Sequence, residues 1–168
     1  MFTPQDLYLY LQNLGITYTT YEHEPILTVE ESLRIGKHLP PFGHCKNLFL
    51  KDKRKQFWLV SALAHTKIRM KELGKELEAP ELRFANAEEL MHYLGVSPGS
   101  VTLFGIINDK QHKVNIVLDS AIFEQERVGF HPLINRATTV VSPKDLIKFV
   151  ESCSNNLRMI TFIQSDAT

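Results

Sequence analysis

Three stretches of this 168-residue chain carry side chains able to do chemistry: GHCKNLFL around Lys46, GVSPGSVTLFG around Gly99, and GFHPLINRATT around His131. Counting in twos from Lys46 puts Leu48 and Leu50 on its face of a strand, and Asn47, Phe49 and Lys51 on the other. If the first face is the core, Lys46 stands at its rim. There it either snorkels its ammonium into water or supplies a fixed cation beside a pocket, able to hold a phosphate or a developing oxyanion. The Pro98-Gly99-Ser100 turn either does ordinary turn chemistry or presents backbone N–H groups to a ligand. The third stretch gathers His131, Asn135, Thr138 and Thr139 into an extended, polar run.

Other chemistries are excluded or disfavoured. His44 and Cys45 are adjacent, so on a strand they point to opposite faces and do not form a base and nucleophile pair. The seven histidines show no HxxxH or HExxH spacing, so no metal is expected, and no cofactor fingerprint, Walker loop or G-x-S-x-G elbow occurs. Nineteen basic residues balance nineteen acidic ones, which argues against coating nucleic acid by bulk charge and leaves room for a local basic patch. Lys67, Arg69, Lys71, Lys75 and Arg83 form such a stretch, although Glu72, Glu76 and Glu78 interrupt it as on a solvated helix face. Two cysteines are too few for a disulfide framework. No apolar run approaches the roughly 20 residues that span a bilayer and no signal-peptide pattern opens the chain, so a cytoplasmic protein without membrane contact is expected.

The elements that must position these residues interleave helix and strand. Thr3 and Pro4 open a helix carrying Leu7, Leu11 and Leu14, and ITYTTYEH alternates as a strand. Thr28-Val29-Glu30-Glu31 is a capping box for a second helix. KNLFL and QFWLVSAL form a hairpin across KDKRK. HTKIRMKELGKEL reads as a helix capped by Thr66. LRF is extended, and NAEELMHYLG is a helix between Asn86 and Gly95. SVTLFGII and KVNIVLD are expected as strands of a second hairpin, SAIFEQERV as a short helix, PKDLIKFVESC as a helix after Ser142, and RMITFI as a strand or helix end. The expectation is a mixed α/β fold, one domain over residues 1–168, with 152–168 as a C-terminal extension.

HEPILTVEES, CKNLFLKD, GVSPGSVTLFGIIND and GFHPLINRATT, in this order, resemble the YbaK/prolyl-tRNA-synthetase-associated editing family, and within it the freestanding alanyl-tRNA(Pro) deacylases. The likeness runs from about Thr3 to Val150. It implies a barrel-like, largely antiparallel mixed sheet with surrounding helices, and hydrolysis of alanine wrongly attached to proline tRNA by a second, smaller sieve. It implies that Lys46 positions the substrate and stabilises charge. Gly99, Ser100, Val101 and Thr102 match the family's glycine loop, with Leu103 where its pattern has proline. His131 and Asn135 fall at the aminoacyl end, Ile26, Leu27, Val60 and Leu63 are assigned to apolar walls, and Lys67, Arg69, Lys75 and Arg83 to the tRNA body. The implied partners are the acceptor end of tRNA and prolyl-tRNA synthetase. A deacylase for another small amino acid, or a non-catalytic tRNA- or synthetase-binding module, uses the same fold.

Overall fold

The structure, a computed structural model, describes residues 1–164. The expected C-terminal extension therefore lies partly outside the described residues. Among the described residues, five α-helices and eight strands follow in the order α1 (Pro4–Asn13), β1 (Thr19–Glu22), α2 (Val29–Gly36), β2 (Gly43–Lys51), β3 (Phe57–Leu63), α3 (Met70–Glu76), β4 (Arg83–Phe84), α4 (Ala87–Leu94), β5 (Val114–Asp119), β6 (Val128–Phe130), β7 (Ala137–Val141), α5 (Pro143–Cys153) and β8 (Leu157–Ile160).

Local chemistry sets most of the helix ends. The Thr3 and Asn86 side chains accept from the Asp6 and Glu89 N–H groups, and those carboxylates bond back, closing two capping boxes. Thr28 also accepts from Glu31 N–H, but the Glu31 carboxylate returns to Leu27 N–H, one residue earlier. Gly95 ends α4 in the left-handed conformation at φ 66°.

The strands pair in the order β1-β7-β6-β2-β3-β5-β8, with β4 added to β2. Strands β2 and β3 form the expected hairpin, Lys46 opposite Ala62 and Leu48 opposite Val60. The β1–β7, β6–β7 and β2–β4 pairings are also antiparallel, and β2–β6, β3–β5 and β5–β8 are parallel. Both faces of the central strands are covered. Phe49, Leu59 and Leu63 join the larger core with Leu103, Phe104 and Phe149. Leu50, Val60 and Val117 join a second one with Leu73, Leu77 and Ile160. Phe49 is thus as buried as Leu50, and the alternation in KNLFL separates two cores rather than core from solvent.

Two expected elements take another form. LFGIIN, Leu103–Asn108, is a 3₁₀-helix and not a hairpin strand, started by the Thr102 hydroxyl accepting from Phe104 N–H. All six of its residues are buried. Gly105 is where α4 crosses: a Cβ there would lie 2.9 Å from Leu94 Cβ. Thr66 does not cap α3. That helix begins at Met70 without a side-chain cap, and the Thr66 hydroxyl is engaged elsewhere.

Candidate active site

The site opens where strand pairing on one edge of β2 is interrupted. Gly43 and His44 pair with β6, and Leu50 and Lys51 pair with β4. Between them Cys45, Lys46 and Asn47 have only β3 as a strand partner. Consecutive strand residues point to opposite faces, so their joint appearance in one cavity means that it is entered from the strand edge. This crevice, of about 170 Å³, is lined by all three, by Ile26, Leu27, Thr28, Val29 and Ser32 from the start of α2, by Ala64 after β3, and by Gly99, Val101 and His131.

Lys46 is half-buried, and its ammonium donates to the Thr66 carbonyl at 2.5 Å. No carboxylate lies within ion-pair distance of it among the described residues. Burial holds its pKa below the usual lysine range, opposed by the carboxylate of Asp119. On the other face of β2, Asn47 accepts a 2.6 Å hydrogen bond from the Ser61 hydroxyl at its side-chain oxygen, which leaves the amide N–H₂ to donate. Burial, and then the Asp119 charge, push the Cys45 thiol far above the ordinary range, which disfavours the thiolate.

His131 comes from the loop between β6 and β7. Its Nδ1 lies 3.1 Å from the Ala137 carbonyl; a carbonyl only accepts, so Nδ1 carries the proton and Nε2 a lone pair. Burial lowers its pKa, the Ala137 contact opposes this and His23 adds to it, so the ring stands neutral. Leu133 in the same loop is buried at φ 70°, a conformation costly for a branched side chain and held here by packing.

The glycine loop alternates. Gly99 and Val101 face the crevice, whereas Ser100 and Thr102 turn inward and are buried. Gly99 sits at φ 91°, and a Cβ on it would lie 2.9 Å from Leu27 Cδ2. The left-handed conformation favours glycine there, and a Cβ would also push Leu27 aside. Leu103, in place of the family proline, is wholly buried in the larger core and so does not shape the opening. The Ser100 N–H to Ser97 carbonyl bond and the Thr102 cap hold the loop instead.

The remaining expected residues divide. Ile26 and Leu27 line the crevice, but Val60 and Leu63 do not: Val60 faces the second core and Leu63 the larger one. A strand buried on both faces gives them the same apolar signature as a pocket wall. The Asn135 carbonyl accepts from Ile26 N–H and so holds the segment before α2, and its side-chain amide lies beside Gly99, 3.7 Å from where a Cβ would stand. The basic residues border three depressions. Lys67 and Arg69 border a depression with Phe162, Lys75 one with Glu78 and Glu81, and Arg83 one with Lys51 and His92. Arg69 also lies 3.8 Å from Glu72. Sequence reasoning missed Asn47, Ser32 and Ala64; their only signal was adjacency to motif residues. Among the described residues no group of three or more His, Cys, Asp or Glu could hold a metal ion, and no helix is long and apolar enough to cross a membrane.

A mixed sheet with a gap along β2 thus opens on a small crevice lined by one ammonium, one imidazole and a glycine loop. Residues 23–149 match the aminoacyl-tRNA editing domain family, and the chain belongs to it. It is 37% identical over 151 residues to the prolyl-tRNA editing protein ProX of Acetoanaerobium sticklandii, covering 89% of this chain and 92% of that protein. It is 38% identical over 154 residues to the prolyl-tRNA synthetase associated domain-containing protein 1 of Mus musculus, covering 89% and 90% respectively. A solved structure described as a candidate trans-editing enzyme for prolyl tRNA synthetase superposes with a TM-score of 0.74 at 15% identity, covering 98% of this chain and 99% of that one, and shares the fold. The protein is thus an enzyme of the aminoacyl-tRNA deacylase class.

Proposed function

We propose that the protein hydrolyses alanyl-tRNA(Pro) in trans, as a single cytoplasmic domain that meets the substrate after its release from prolyl-tRNA synthetase. The observation that carries this reading is the Lys46 ammonium, half-buried and without a carboxylate partner, at a crevice of about 170 Å³. That volume is well below the roughly 300–1,000 Å³ of pockets for larger ligands. The apolar side chains of Ile26, Leu27 and Val101 offer a wall that suits the methyl group of alanine. The names of the bacterial and mouse relatives support the prolyl system as the source of the substrate.

The chemistry needs little beyond positioning. An aminoacyl ester is already activated, and water attacks its carbonyl carbon to place negative charge on the carbonyl oxygen. The Lys46 ammonium is the donor for that oxygen. Collapse of the adduct breaks the acyl–oxygen bond, and the proton lost by water ends on the ribose oxygen. The vicinal ribose hydroxyl and the neutral His131 ring orient the water. Lys46 acts as a cation and not as a base: its ammonium is committed to the Thr66 carbonyl.

The test is a panel of charged tRNAs with purified protein. Release of alanine from tRNA(Pro) with prolyl-tRNA(Pro) spared is the expected result. Preferred hydrolysis of another aminoacyl-tRNA would reassign the substrate, and association without hydrolysis of any of them would defeat the enzymatic reading.

A further inference from the structure

The Lys46 ammonium is aimed by the Thr66 carbonyl, and Thr66 lies in a turn with no regular hydrogen-bond ladder of its own. Its N–H bonds to the Leu63 carbonyl at 3.0 Å. Its hydroxyl donates to Asp119 Oδ2 at 2.8 Å. Asp119 closes β5 and is 2% exposed. The same Oδ2 accepts from Leu63 N–H at 3.3 Å, and Oδ1 accepts from Ala121 N–H at 3.0 Å, capping the short 3₁₀-helix Ser120–Glu124. Outside the turn, Gln164 accepts from Lys67 N–H at 2.8 Å. Among the described residues, the Asp119 side chain thus bonds Thr66, whose carbonyl meets Lys46, Leu63 at the end of β3, and its own cap.

Asp119 is thus a buried carboxylate that accepts from three neutral donors, with no cation in ion-pair reach among the described residues. We propose that Asp119 is a positioning residue for the deacylation reaction: through the Thr66 hydroxyl it holds the Thr66 carbonyl on Lys46, and its negative charge favours that ammonium. This rests on the reading of Lys46 as the cation of the editing site. The Asp119 charge does act on Lys46, opposing the effect of burial. The other titratable groups around Lys46 are His44 and Cys45 on its own strand, His65 and Lys67 beside Thr66, His131 from the β6–β7 loop, and Glu31 of α2, whose carboxylate accepts from Leu27 N–H in the crevice wall. Of the two carboxylates, Asp119 is the one whose charge acts on Lys46. Asp119 touches no substrate, and its effect is exerted only through Lys46.

Two variants separate the parts of the mechanism. Thr66→Val removes the hydroxyl at nearly constant shape, and Thr66→Ser restores it. With alanyl-tRNA(Pro) as substrate, Thr66→Val is expected to lower kcat roughly tenfold to a hundredfold, the scale of a displaced catalytic group, with KM within about twofold of the parent. Thr66→Ser should stay close to the parent. Asp119→Asn removes the charge, and the Lys46 titration, followed by NMR of its side-chain Cε and Nζ in the free protein, should move to lower pH. Thr66→Val with parental kcat would overturn the proposal, as would a Lys46 titration unmoved by Asp119→Asn. A parent protein inactive on every aminoacyl-tRNA would defeat the functional reading alone, while the titration still decides the coupling of Asp119 to Lys46.

Discussion

Replacing Lys46 with methionine keeps an unbranched stem of similar length and removes the charge, so it tests the ammonium separately from the packing. Two terms oppose each other in the folded protein. The Thr66 carbonyl loses a hydrogen bond from a charged donor, about 1.5–3 kcal/mol. The crevice is freed of an ammonium whose burial is the largest influence on its pKa, and this returns part of that amount. The carbonyl also faces an open crevice where water can replace the lost donor. The net change in stability is therefore expected to be small, below about 1.5 kcal/mol, or less than about 5 °C in Tm for a domain of this size. Catalysis has no such compensation. Loss of one preorganised donor to a developing oxyanion costs about 10²–10³ in kcat, roughly 2.7–4 kcal/mol. Single-turnover deacylation of alanyl-tRNA(Pro), with the uncatalysed ester hydrolysis subtracted, measures the second quantity, and thermal unfolding the first. A kcat within about twofold of the parent would refute the role given to Lys46. A large fall in Tm accompanying the loss of activity would instead make the ammonium a structural element.

Gly99→Ala places a Cβ 2.9 Å from Leu27 Cδ2 at φ 91°; a loss of about 1–2 kcal/mol in denaturant unfolding and a raised KM for the aminoacyl-tRNA are expected, the strain coming from the left-handed backbone. Leu27→Ala should cost under about 1 kcal/mol, since the side chain is 68% exposed, yet widen the crevice; its readout is the ratio of prolyl- to alanyl-tRNA(Pro) hydrolysis, which should rise. The pH dependence of stability follows from His131 and His44, both held by burial below the usual histidine value. The unfolded chain takes up these protons first, so their contribution is complete above about pH 6.5 and is lost as the pH falls through the folded values. Denaturant midpoints between pH 7 and 5 should show this decline, and His131→Asn should make it shallower.

Much of the scaffold is legible without coordinates because its signals are local. A capping threonine or asparagine finds its partner three residues on, as Thr3 and Asn86 do with Asp6 and Glu89. The KDKRK hairpin joins neighbouring strands. The same local logic fails for LFGIIN, whose apolar residues read as a strand; the Thr102 cap and the crossing of α4 at Gly105 make it a 3₁₀-helix. It fails again for Thr66, which has a cap's side chain and no helix to cap because a carboxylate 53 residues away takes its hydroxyl.

The site divides along the same line. Sequence alone singles out Lys46, Gly99 and His131, because charge, absence of a Cβ and an imidazole are properties of single residues in recognisable company. It does not distinguish Ile26 and Leu27, which line the crevice, from Val60 and Leu63, which fill two cores, since burial on both faces of β3 erases the alternation that would tell inside from pocket. It is equally silent about the gap between β6 and β4 along β2, a matter of pairing between segments far apart in the chain. The chain thus determined by itself which groups are present to act on an ester. Only the tertiary structure decided that Lys46 meets the Thr66 carbonyl and that Asp119 stands behind it, because those contacts depend on how three strands and a turn converge.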